Sequence, residues 1–93
     1  MTYEEVCKYA EDQEIELKVF SNPSFNNSII GISYDGRVIY DFDLMIEDLM
    51  EEESIDFEDA LEFIEYNTLR ALPYMGDNAP IILNVKEWDW IST

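Results

Sequence analysis

The chain has 93 residues, 22 acids against five Lys and Arg, no histidine and a net charge of −17 at neutral pH. A surface so negative repels nucleic acid and anionic membrane, and it attracts basic protein surfaces. Without histidine the usual general base near neutral pH is missing. The 47% hydrophobic and 14% aromatic content is well above that of a solvated acidic tail, so a folded domain is expected.

Thr2 and Glu5 have capping-box spacing, which predicts a helix from Tyr3 with Val6 and Ala10, beside Tyr3 and Cys7, on its apolar side. Cys7 is the sole cysteine, reads as a small half-buried hydrophobe and excludes an internal disulfide, as suits a reducing cytosol. Ile15, Leu17 and Val19 alternate with Glu16, Lys18 and Phe20, the pattern of a strand buried on one face. Ser21 to Ser28, with Pro23 and three asparagines, reads as a loop.

Ile29 to Tyr34 and Arg37 to Tyr40 flank Asp35-Gly36. This predicts a two-residue type I′ hairpin pairing Ile32 with Ile39, with Ile30, Ile32 and Ile39 on one face and Val38 and Tyr40 on the other. Apolar groups on both faces place the hairpin centrally in the sheet.

Two helices follow. Asp41 or Asp43 caps the first, whose apolar stripe is Phe42, Met45, Ile46 and Leu49. Ser54 or Asp56 caps the second, in which Phe57, Leu61, Ile64, Thr68 and Leu72 repeat at helical spacing until Pro73 stops it. Tyr74 to Pro80 is a turn region, and Ile81 to Val85 a last strand. The order is α-β-β-β-α-α-β, one α+β domain over residues 1–93, with a small, mainly antiparallel sheet covered by helices. The first residues lack the basic flank and apolar core of a signal peptide, and no apolar run is long enough to cross a bilayer. A cytoplasmic protein is expected.

Between residues 41 and 66 lie twelve acids: Asp41, Asp43, Glu47, Asp48, Glu51, Glu52, Glu53, Asp56, Glu58, Asp59, Glu62 and Glu65. No Lys or Arg occurs between Arg37 and Arg70. Duplex DNA carries one charge per ~1.7 Å, hence about 19 over the roughly 32 Å diameter of a domain this long. The net charge of −17 is comparable. The expected partner is a basic protein surface, such as that of a nucleic-acid-binding enzyme, contacted by Glu47, Asp48, Glu51, Glu52, Glu58, Glu62 and Glu65. The plain alternative is a solvated surface that keeps a structural or housekeeping domain dissolved, with an aromatic working patch near Tyr74, Trp88 and Trp90.

Asp41, Asp43, Glu47 and Asp48 offer oxygens suited to a hard cation, but helix capping already accounts for the first two, and neither metal nor cofactor is expected. No Gly-rich phosphate loop exists, and Cys7 has no histidine to activate it. The chain is not expected to be an enzyme. Arg70 is expected to pair with acids on the neighbouring helix or to brace the Pro73 turn.

Asp35-Gly36-Arg37-Val38-Ile39-Tyr40-Asp41, together with Glu65-Tyr66-Asn67-Thr68-Leu69-Arg70-Ala71-Leu72-Pro73-Tyr74-Met75-Gly76, resembles a family of short acidic proteins of Gram-positive bacteria and their mobile elements. That family brings no known activity and hence no catalytic residue. The resemblance implies a phage or mobile-element setting. In size and charge the chain is also similar to phage inhibitors of host defence, among them DNA mimics and anti-CRISPR proteins.

Overall fold

The computed structural model describes residues 1–85. Trp88 and Trp90 lie outside them. The protein is α+β, with a three-stranded sheet in the order β1-β2-β3 packed against helices.

Helix α1 (Tyr3–Gln13) starts at the expected capping box. Glu5 N–H donates to Thr2 Oγ1 at 3.1 Å, and Thr2 N–H donates to Glu5 Oε1 at 2.8 Å. Only Val6 of α1 reaches the core, and Cys7 is exposed rather than half-buried. Val6 alone therefore anchors a helix whose other sides meet water.

The alternation from Ile15 to Phe20 does not produce a strand. Its backbone groups bond elsewhere. Ile15 N–H donates to Ala10 O at the end of α1, and Phe20 N–H donates to the Tyr40 hydroxyl at 3.0 Å. The segment crosses the molecule irregularly and delivers Phe20 to an aromatic cluster. Phe20 meets Phe25 edge-on at 6.0 Å and Tyr40 at 4.8 Å. The loop beyond it contains a cis Asn22–Pro23 peptide and a 3₁₀ turn, Asn26–Ser28.

Strands β1 (Ile29–Ile32) and β2 (Val38–Asp41) are antiparallel, one residue out of the expected register. Ile32 faces Val38, not Ile39. A type I′ turn needs φ > 0 at Asp35 as well as Gly36, yet of the two only Gly36 is left-handed, with φ 81°. The loop instead runs Tyr34-Asp35-Gly36. Gly36 N–H donates to Ser33 O, and Ser33 N–H donates to Arg37 O. A one-residue slip moves every side chain to the other face. Val38 and Tyr40 become the core residues of β2, and Ile39 is only partly covered. Ile30 is the extra residue of a bulge between Ile29 and Gly31, and it is exposed. Strand β2 is central, while β1 lies at the sheet's edge.

Helix α2 (Phe42–Glu53) buries Phe42, Met45, Ile46 and Leu49, the expected stripe. Its cap is Asp41, which accepts Leu44 N–H at 3.0 Å. Ser54 ends α2 in the left-handed conformation, and Asp56 caps α3 (Phe57–Phe63), which buries Ala60 and Leu61. The expected single helix changes form beyond Phe63. A π-helical stretch, Ile64–Leu69, buries Ile64 and Thr68, and Asn67 Nδ2 donates to Phe63 O at 3.1 Å across the widened turn. Pro73 then sits in the first turn of a 3₁₀ segment, Leu72–Met75, where its missing N–H is harmless.

Strand β3 (Ile81–Leu83) pairs with β2 in parallel, Tyr40 facing Ile82. Parallel neighbours need a long crossover, which α2, α3 and their continuation supply. The Asp41 carboxylate marks both ends of it. One oxygen caps α2, and the other accepts Asn84 Nδ2 at 2.5 Å.

Candidate acidic interface

The chemistry of α2 follows from its stripe. With the four apolar residues turned inward, 3.6-residue periodicity sends Glu47 and Glu51 to the opposite side and Asp48 to the flank. Glu47, Glu51 and Glu52 are exposed, and Asp48 is half-buried. On α3 the inward Ala60 and Leu61 leave Glu58 and Glu62 exposed. Glu65 falls in the π-helical stretch and is half-buried. The expected contact residues thus occupy two successive helices, and none of them is in the core.

Three of them converge. Asp48, Glu51 and Glu52 line an open groove of about 310 Å³ together with Ser24, Asn26 and Asn27. Asn27 Nδ2 approaches Asp48 Oδ1 at 3.4 Å across it. Glu47, Glu58, Glu62 and Glu65 do not line this groove. The loop's three polar residues escaped sequence reasoning, since an Asn- and Pro-rich run announces a loop without saying what it packs against. Two polar atoms of this turn, Asn26 Oδ1 and Ser28 Oγ, are buried without a hydrogen-bond partner.

Three of the described cations have contacts elsewhere in the fold. Lys18 Nζ donates to Met75 O at 2.5 Å and to Asp77 O at 2.6 Å. Arg37 Nε donates to Ala79 O at 2.6 Å. Together they brace the turn that leads into β3. Arg70 stacks on its own Tyr66, 4.6 Å from the ring centroid. That is the geometry of an i, i+4 cation–π pair.

Two titrating groups report local structure. Burial pushes the Tyr40 hydroxyl above its ordinary range, and the Phe20 N–H bond opposes this only in part. Glu5 is held below the ordinary carboxylate range by the Thr2 backbone and side-chain hydrogen bonds of the capping box. Neither group belongs to the groove. Among the described residues no group of three or more acid or thiol side chains is placed to hold a metal ion. Nor is any helix of these residues long and apolar enough to cross a membrane.

No protein-family model, curated protein or solved structure matches the chain.

Proposed function

We propose that this is a non-enzymatic, cytoplasmic interaction protein whose α2–α3 carboxylates occupy a basic, nucleic-acid-binding surface on a partner protein. It acts by competition, as a phage-type inhibitor of host defence would if it imitated DNA. The carrying observation is the stretch from Phe42 to Phe63, which has ten acids and no base and turns Phe42, Met45, Ile46, Leu49, Ala60 and Leu61 into the core. Helix α2 alone carries six acids over about 18 Å, or one per ~3 Å. A single DNA strand carries one per ~3.4 Å.

At its C-terminal end the helix gains nothing from this arrangement. Glu51, Glu52 and Glu53 stand at the negative end of the α2 dipole, with no base in its last turn. Glu47 with Glu51, and Asp48 with Glu52, repel at i, i+4 spacing. These repulsions weaken α2, and a cationic partner would offset them.

The test compares the wild type with a combined variant carrying Gln or Asn at Glu47, Asp48, Glu51, Glu52, Glu58, Glu62 and Glu65. Both are immobilised and exposed to bacterial lysate at low and high salt, with circular dichroism confirming the variant's fold. The reading requires proteins that bind the wild type, leave it with rising salt or added duplex DNA, and ignore the variant. Equal capture by both proteins would end it.

One observation favours a second reading. Tyr74 is 90% exposed, as befits an anchor of an aromatic protein-binding patch on a structural or housekeeping domain. In that case Tyr74→Ala, with Ala also at Trp88 and Trp90, abolishes binding while the charge variant retains it.

A further inference from the structure

The loop at the tip of the β1–β2 hairpin takes no part in the acidic surface, yet it brings together the two groups of a backbone reaction. Asp35 is the sole Asp or Asn in the chain followed by glycine. Its side chain is exposed. Gly36 puts no side chain beside its own amide nitrogen, and where a Cβ would stand the nearest atom is Ile15 Cδ1 at 4.0 Å. In such a dipeptide the Gly36 nitrogen, losing its proton, attacks Cγ of Asp35. A C–N bond forms, a C–O bond of the carboxyl breaks, and one water, completed by a proton from solvent, leaves a five-membered succinimide. Water then adds back. Opening at Cγ restores aspartate, and opening at the Asp35 main-chain carbonyl gives the isoaspartyl linkage. One water is released and one consumed, with no change of oxidation state.

One neighbour restrains both reacting groups. Ser33 O accepts the Gly36 N–H at 3.0 Å. Ser33 Oγ donates to Asp35 Oδ1 and accepts the Arg37 N–H at 3.0 Å. The nucleophile and the electrophile are therefore tied to a single serine. We propose that Asp35–Gly36 is a site of spontaneous isoaspartyl formation in the folded protein, and that the Ser33 side chain sets its rate. Each event adds a methylene to the main chain next to Arg37, whose guanidinium braces the turn before β3 through Ala79 O. The modification thus loosens a contact between residues 42 apart in sequence.

The test ages the full chain in buffer and locates isoaspartate by fragmentation mass spectrometry of its peptides. Isoaspartate accumulates at Asp35 ahead of every other aspartate. Ser33→Ala, with melting temperature confirming the fold, accumulates it about fivefold faster, the effect of losing one ordinary hydrogen bond. Ser33→Thr keeps the hydroxyl and the wild-type rate. Asp35→Asn reacts faster than wild type, because its neutral amide carbonyl is attacked directly and ammonia leaves, whereas the Asp35 carboxylate must first take up a proton. An unmodified Asp35 in the folded chain that isomerises only in urea overturns the site. Equal rates in Ser33→Ala and wild type overturn the role of Ser33. If Ser33→Ala does not fold, an Asp35→Asn variant no faster than wild type overturns the site instead.

Discussion

Removing one oxygen from Tyr40 tests the account of the core. The ring is fully buried on β2, packs against Phe20 at 4.8 Å, and its hydroxyl is the acceptor for Phe20 N–H. Tyr40→Phe keeps the ring and its contacts but leaves a buried N–H unpaired, which costs about 1–3 kcal/mol. That is a large share of the ~5–15 kcal/mol typical of folded domains, and for a domain of this size it lowers the melting temperature by roughly 4–24 °C. The same substitution alters the alkaline limb. Burial raises the folded-state pKa of Tyr40 above its ordinary value of 10.0. The stability tied to the neutral hydroxyl is therefore complete below pH 10 and is lost as pH rises through the folded value. Urea titrations at neutral pH and above pH 10 should show the variant weaker at the first and the gap narrowing at the second. Equal stability at neutral pH, or a gap unchanged in alkali, would refute the reasoning.

Other perturbations address separate elements. Leu49→Ala, at the centre of the α2 stripe, should cost about 2–5 kcal/mol in chemical denaturation. Lys18→Met removes the ammonium that holds Met75 O and Asp77 O, and a loss of about 1–3 kcal/mol is expected in the same assay. Replacing Glu51, Glu52 and Glu53 by Gln should raise the melting temperature at low salt, at about 0.3–1 kcal/mol per residue, and the gain should shrink as salt is added. Glu5, whose folded pKa is depressed, contributes stability above its unfolded pKa and loses it as pH falls through the folded value. Far-UV circular dichroism should show α1 fraying on acidification, and Glu5→Gln, which has no carboxyl to protonate, should remove that step.

The local features were the legible ones. The capping box of α1 and the apolar stripe of α2 follow from spacing within one or two turns, and the structure keeps both. The errors arose where a partner decides. Alternation from Ile15 to Phe20 is compatible with a strand but does not supply a neighbour to pair with, and Tyr40 took the Phe20 N–H instead. Asp35-Gly36 suits two turn types that differ by one residue of register, and the choice rests on the φ of Asp35, which composition does not reveal. Lys18 meets a turn 57 residues away, a separation no local pattern encodes. For the acidic surface, composition shows the run of acids but not which of them converge. That Asp48, Glu51 and Glu52 share a groove with the Ser24–Asn27 loop depends on packing between distant segments.

The excursion from Asp41 to Asn84 leaves and returns at one carboxylate. Its two extremities are already neighbours, so a very short peptide could splice them. The crossover is consequently a closed loop in space, anchored at a single side chain where it departs and where it comes back.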